Sequence, residues 1–99
     1  MSATVQVCKQ RMGEKMISPK EVRQEGTVST GFMLCVDLLN TTTGEVSSWE
    51  LDPDDGEPIE GFNGEGQSLD REPTPEERAA LLNGFRYFVN VGPTREPLC

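Results

Sequence analysis

The sequence predicts a small α+β domain with about four mostly antiparallel strands and one main helix. Three observations lead to this prediction. The chain has 99 residues, which is the size of a single domain. Apolar residues alternate at period two in several stretches, as in half-buried strands, and one proline-containing segment carries a strong helix-start signal. We therefore predict one domain over residues 1–99, with an acidic loop rich in glycine and proline at residues 52–73.

Two elements are predicted near the N-terminus. Residues 3–12 alternate apolar and polar side chains, which favours a strand with one apolar face. Residues 18–26 favour a short helical turn, because Ser18 can cap it and Pro19 fits its first position. Gly26 can then end the turn in the left-handed conformation. A looser β-type connection is the competing interpretation of this stretch.

The clearest strand is predicted at residues 27–39. One of its faces is apolar or β-branched throughout, whereas the other face is mixed. A turn at Asn40–Gly44 leads into a second strand at residues 45–51, so the two strands form a hairpin with a loop of about five residues. The first face carries Val28, Thr30, Phe32, Leu34, Val36 and Leu38, and the second carries Ser29, Gly31, Met33, Cys35, Asp37 and Leu39.

The main helix is predicted at residues 75–83. Thr74 and Glu77 have the spacing of a capping box, and a proline occupies the first helical position between them. The pair Asn83–Gly84 is typical of a helix end. Residues 85–91 then favour a strand, because aromatic and β-branched side chains alternate there. The rival interpretation continues the helix through them, since several of their apolar side chains also fall at helical spacing.

The formal net charge of the whole chain is −8. Most of the acidic residues lie in one segment. Residues 50–77 hold eleven acids and one base, whereas residues 1–49 hold five of each and residues 78–99 hold three bases and one acid. A run of like charges repels nucleic acid and anionic membranes. We therefore expect no direct binding of nucleic acid, no membrane binding, and a basic protein partner.

Catalytic and metal chemistry are disfavoured by the residue types present. The chain has no histidine, which is the commonest general base and the commonest metal ligand. The three cysteines, Cys8, Cys35 and Cys99, lack metal-binding or redox spacing and are interpreted as free thiols, with a Cys8–Cys35 disulfide as the minority interpretation. We therefore predict neither enzymatic activity nor a bound cofactor or metal.

Targeting signals are also missing from the sequence. No apolar run is long enough to span a bilayer. The first fifteen residues lack the apolar core of a secretion signal. We therefore expect a cytoplasmic protein.

Two ligand-binding motifs fail when they are tested against the acidic segment. An EF-hand is excluded by register, because Gly56 is fifth rather than sixth from Asp52 and Asn63 stands where the motif needs glutamate. Residues 61–67 are glycine-rich, but they lack the strand–helix junction of a phosphate loop, and Glu65 would repel a phosphate. A weak cation site from Asp52, Asp54, Asp55 and Glu57 is the alternative to a solvated loop.

The acidic segment is the candidate functional site. Apolar residues spaced among carboxylates are typical of a segment that orders on docking to a basic groove. We predict a non-enzymatic module whose acidic loop docks on a basic surface of a partner protein and inhibits or regulates a nucleic-acid-handling machine. The alternative is an assembly subunit that forms a homo-oligomer, or joins a larger particle, through a half-apolar sheet face. The predicted partner-binding residues are Asp52, Asp54, Asp55, Glu57, Glu60, Phe62, Glu65 and Asp70.

Overall fold

A computed structural model describes residues 17–27 and 31–94 of the chain. In this part the chain forms one sheet of four antiparallel strands and one helix, which confirms the predicted α+β class. The strands lie in chain order, so each pairs with the next in sequence. The predicted strand at residues 3–12 lies outside the described residues. The elements are β1 Ile17–Thr27, β2 Gly31–Asn40, β3 Val46–Leu51, β4 Pro58–Asn63 and α1 Pro75–Val91.

The hydrophobic core lies between one face of the sheet and α1. The predicted strand at residues 27–39 is confirmed from Gly31 onward, where Leu34, Val36 and Leu38 of its apolar face are buried, but Thr27 belongs to the end of β1. The helix approaches this face so closely that a Cβ atom at Gly84 would lie 2.9 Å from Val36 Cγ1. The core residues are each at most 2 % exposed, and they are Val22, Leu34, Val36, Leu38, Trp49, Leu51, Ala80 and Leu81.

The prediction of a helical turn at residues 18–26 was wrong, because this segment is strand β1. Its pairing with β2 is antiparallel, with Val22 opposite Val36, and Val22 is fully buried. The register shifts between Pro19 and Glu21, and such an irregularity at an edge strand accommodates a proline that cannot donate a hydrogen bond. Burial against a partner strand thus outweighed the local capping signals. Further along the edge, the Thr94 N–H donates to the Val22 carbonyl at 2.6 Å.

The long acidic loop predicted at residues 52–73 was not found, because strand β4 lies in the middle of it. Strands β3 and β4 form a hairpin in which Trp49 lies opposite Gly61. A Cβ atom at Gly61 would lie 2.6 Å from the Trp49 ring. Glycine at this position therefore allows the indole to lie flat across β4, which the composition of the segment alone did not reveal.

The helix starts as predicted but ends later. Thr74 caps it, with both bonds of the capping box present. The predicted end at residue 83 and the predicted strand at residues 85–91 were both wrong, and the rival interpretation of a continued helix was correct. Gly84 is buried against the sheet rather than ending the helix, because its missing side chain permits the close contact with Val36. The helix ends at Gly92, whose φ is 99° and whose N–H donates to the Phe88 carbonyl at 2.8 Å.

One ion pair links the start of the helix to the sheet. Arg71 donates two hydrogen bonds to the Glu77 carboxylate, at 2.7 and 3.1 Å. Glu77 also accepts the Thr74 N–H at 2.9 Å. The Arg71 guanidinium lies 5.6 Å from the centroid of the Trp49 ring, within the range of a cation–π contact. The chain before the helix, the first helical turn and the centre of β3 therefore meet at Arg71.

We predict that Gly61→Ala lowers the free energy of unfolding by about 1–3 kcal/mol. The added methyl group would lie only 2.6 Å from the ring of the buried Trp49, so either the indole or strand β4 would have to shift. Gly64→Ala is the matched control, because its Cβ would meet only the Val46 carbonyl oxygen at 3.8 Å. Urea unfolding of both variants checks the prediction, and equal stabilities would contradict it.

We predict that Glu77→Gln destabilises the protein at neutral pH by about 1–3 kcal/mol. Burial disfavours the charged carboxylate, but hydrogen bonds from Arg71 and Thr74 outweigh it and hold the pKa of Glu77 below its usual value. A carboxyl group whose pKa is lower in the folded state stabilises the fold at any pH above its pKa in the unfolded state. This stabilisation is lost as the pH falls through the pKa of the folded state. The stability difference between wild type and variant should therefore shrink below about pH 4. A difference that is constant with pH, measured by urea unfolding, would contradict this.

Candidate functional site

The structure places all eight predicted partner-binding residues on one continuous unit, residues 50–70, which we call the acidic hairpin. Six of the eight are exposed, and the other two, Asp52 and Phe62, are half-buried. Asp52, Asp54, Asp55 and Glu57 lie in the turn between β3 and β4, Glu60 and Phe62 lie on β4, and Glu65 and Asp70 lie in the segment that follows it.

The turn between β3 and β4 is closed by its own hydrogen bonds. The Asp52 N–H donates to the Glu57 carbonyl at 2.9 Å, and the Gly56 N–H donates to the Asp52 carbonyl at 2.7 Å. Two of the predicted site carboxylates also hold the backbone. Asp52 Oδ1 accepts the Asp54 N–H at 2.8 Å, and Asp55 Oδ1 accepts the Glu57 N–H at 2.9 Å. The turn therefore presents Asp54 and Glu57 on an ordered backbone.

The chain then returns along the outer edge of β4. Asn63 Oδ1 accepts the N–H groups of Glu65 and Gln67, both at 2.9 Å. The Leu69 N–H donates to the Gly61 carbonyl at 2.8 Å. This return places Asp70 next to β4, with a φ of 56°, a left-handed conformation that aspartate tolerates better than most residues. The second half of the acidic hairpin is thus held to the first by backbone hydrogen bonds.

Sequence reasoning missed a second acidic surface, the sheet face that points away from α1, which we call the outer face. Glu50 of β3 lies directly opposite Glu60 of β4, and Cys35 of β2 lies on the other side of Glu50. The period-two pattern indicated only that the Met33–Cys35 side of β2 was mixed. The strand register shows that charged neighbours surround it. The charged residues of the outer face are Glu21, Arg23, Glu25, Asp37, Glu50 and Glu60.

On one side of the outer face, a single base forms ion pairs with three carboxylates. Arg23 forms ion pairs with Asp37, with Glu25 at 3.0 Å and with Glu21 at 3.3 Å. Burial works against the charged guanidinium, but the hydrogen bonds with Glu25 and Asp37 outweigh it and raise the pKa of Arg23. Ser48 donates a hydrogen bond to Asp37 at 2.7 Å. Strands β1, β2 and β3 are therefore tied together on this face.

The other side of the outer face keeps uncompensated negative charge. The pKa of Glu50 is raised, first by burial and then by repulsion from Glu60 and Glu25. Like charges directly opposite each other on adjacent strands are destabilising. The Glu50–Glu60 pair therefore stores electrostatic repulsion, which a positively charged partner would relieve.

The chemistry of Cys35 does not suit a nucleophile. Its thiol is free and 4 % exposed. Burial, followed by the negative charge of Glu25, raises the pKa of Cys35 to about 12. The thiolate is the reactive form of cysteine, so this side chain is unreactive at neutral pH. Cys8 and Cys99 lie outside the described residues. Among residues 17–27 and 31–94, no three side chains of the metal-binding types are grouped to hold an ion.

Comparison with protein families, with curated proteins and with solved structures found no match to this chain. The helix in the described part of the chain is not long and apolar enough to cross a membrane. Function is therefore inferred from the acidic hairpin and the outer face.

We predict that Glu60→Gln lowers the pKa of Glu50 and stabilises the fold by about 0.2–1 kcal/mol at neutral pH. In the wild type, the pKa of Glu50 is raised, so the free energy of unfolding increases as the pH falls through that pKa. The free energy of unfolding of the variant should increase less over the same pH range. NMR titration of the Glu50 carboxyl carbon and urea unfolding measure both effects. Glu65→Gln is the control, because it removes the same charge away from Glu50. Identical behaviour of the two variants would contradict the prediction.

Proposed function

We propose that the protein is a non-enzymatic interaction module whose acidic hairpin docks on a basic surface of a partner protein. The observation that carries the proposal is the ordered turn between β3 and β4, which holds exposed carboxylates on a hydrogen-bonded backbone. A segment that is already ordered loses less conformational entropy on binding than a mobile loop does. The acidic hairpin therefore supports tighter docking than the composition of the segment suggests.

The distribution of charge supports a basic partner. Within residues 17–27 and 31–70, which the structure describes, there are twelve acids and two bases, Lys20 and Arg23. A surface potential of one sign accelerates association with an oppositely charged surface and disfavours wrong partners. Glu50 and Glu60 add a further reason, because a partner cation between them would relieve their mutual repulsion. Affinity should therefore fall steeply as salt is added.

We further propose that the partner handles nucleic acid and that docking inhibits or regulates it. Fully extended, the 28 residues from 50 to 77 would cover about 90 Å at ~3.3 Å per residue, which spreads eleven carboxylates thinly. The hairpin folds part of this segment back on itself and brings Glu50 and Glu60 to about 5 Å between Cβ atoms. This is the separation of one pair of carboxylates and not a repeat along the hairpin, so the hairpin does not reproduce the ~3.4 Å per charge of a nucleic-acid strand. Partial occlusion of a basic nucleic-acid channel is the mode of action that this density supports.

The second proposal, an assembly subunit joined through the sheet face, has weaker support. The face in question is the outer face, which carries carboxylates from all four strands beside Met33 and Leu39. Burying it between two copies would remove these charges from water without a matching set of bases. The acidic composition of the outer face fits a basic partner better than a second copy.

The test is capture of partners by a hairpin variant and a matched control. The hairpin variant carries Asp54→Asn, Glu57→Gln and Glu60→Gln, which leaves the turn-forming carboxylates of Asp52 and Asp55 in place. The control carries Glu45→Gln, Glu72→Gln and Glu76→Gln, so that both lose three charges. We expect wild type and control to capture the same basic proteins from a cell lysate at low salt, and the hairpin variant to capture at least about tenfold less of them.

A second measurement tests the proposed mode of action on the captured proteins. Each is purified, and its DNA or RNA binding is titrated with wild type, hairpin variant and control. Wild type and control should compete with the nucleic acid, and the hairpin variant should not. Equal capture by all three proteins would contradict docking through the hairpin, whereas capture without competition would contradict only the regulatory role.

A further inference from the structure

The helix α1 has an exposed apolar stripe on the side away from the sheet. Leu82 is 46 % exposed and Val89 is 62 % exposed, although both are large aliphatic residues. Their spacing of seven residues places them on one line along the helix, opposite the buried Gly84. Successive positions of this line are three and four residues apart, as in the seam between two paired helices. The outer stripe consists of Pro75, Ala79, Leu82, Arg86 and Val89.

The segment that contains the helix also carries less net charge than the described chain before it, so a second copy of this acidic protein meets less repulsion there. Residues 71–94 contain three arginines and three glutamates, so their formal charge is zero. Residues 17–70 contain twelve acids and two bases. Two acidic surfaces repel each other. Of these two parts of the chain, the one that contains α1 opposes contact between copies less.

Two charged residues, Arg86 in the outer stripe and Glu76 beside it, have no ion-pair partner among the residues that the structure describes. The ion pairs of this region join Arg71 to Glu77 and Arg78 to Glu72, and neither uses Glu76 or Arg86. Glu76 and Arg86 are ten residues apart, which is about 15 Å along a helix, so they cannot reach each other in the same chain. In an antiparallel pair of helices, a twofold axis would bring each Glu76 beside the Arg86 of the second copy.

We propose that α1 mediates a weak, symmetric homodimer through its outer stripe. The two helices lie antiparallel, with Leu82 of one copy against Leu82 of the other, Val89 of each copy against Pro75 of the other, and two reciprocal pairs between Glu76 and Arg86. A helix of 17 residues is about 26 Å long, so the interface is smaller than the roughly 800 Å² per partner of a standard stable complex. The dimer therefore forms only at high protein concentration. It leaves the acidic hairpin free, and it is independent of the proposed docking function.

Analytical ultracentrifugation of two charge-reversal variants tests the proposal. Glu76→Arg alone gives four positive charges at the interface, and Arg86→Glu alone gives four negative charges. Each variant by itself should dimerise at least about tenfold more weakly than wild type, because two attractions become two repulsions. An equimolar mixture of the two should recover dimerisation as a heterodimer, since every reversed charge then faces an opposite one. Circular dichroism checks that both variants remain folded.

Two further variants separate this interface from the docking surface. Leu82→Gln, at an exposed position, should weaken the dimer without unfolding the helix. The hairpin variant Asp54→Asn, Glu57→Gln, Glu60→Gln should dimerise at least as well as wild type. A wild-type protein that stays monomeric at the highest soluble concentration would overturn the proposal. So would a dimer that ignores both charge reversals, or a mixture that dimerises no better than its components.

Discussion

The contact of Arg71 with Glu77 and Trp49 is the constraint on which the rest of the structure depends. Arg71 directly follows the acidic hairpin, Glu77 belongs to the first turn of α1, and Trp49 is buried at the centre of β3. The same Glu77 carboxylate closes the capping box with Thr74. The ion pair and the capping box therefore share one carboxylate, which ties the first turn of α1 to Arg71 and, through Arg71, to β3. Because Glu77 is nearly buried, removing Arg71 would leave a carboxylate without compensation, which is far more costly than losing an exposed pair.

Two glycines make the close approaches that this arrangement requires. Gly61 lets the Trp49 ring lie against β4, and Gly84 lets α1 approach β2 and β1. Both glycines occur in sequence contexts that are typical of flexible loops or helix ends. Their roles here are steric, since a side chain at either site would meet a buried group. The small core is thus built by bringing backbones together, which compensates for a low content of large apolar residues.

Structural features that neighbouring residues determine could be predicted from the sequence. Features that depend on pairing with residues far away in the chain could not. The capping box at Thr74 and the strand of Leu34, Val36 and Leu38 were correct, because neighbouring residues determine them. The segment at residues 18–26 carried equally good local signals for a turn, but pairing of Val22 with Val36 made it a strand. Strand β4 was missed because its composition is that of a loop. The pairing of Gly61 with Trp49, which makes this segment a strand, cannot be read from the sequence. The Glu50–Glu60 pair depends on strand register, which no composition or periodicity specifies.

The return of residues 67–69 along β4 and the contact of Thr94 with Val22 have a consequence for the behaviour of the protein at high concentration. They lie on the two opposite edges of the sheet. Unpaired edges are where strands of separate molecules join into aggregates. A foreign strand would have to displace the 67–69 segment before it could run along β4, and Thr94 before it could run along β1. At high protein concentration, the sheet is therefore less able to act as a template for fibre growth.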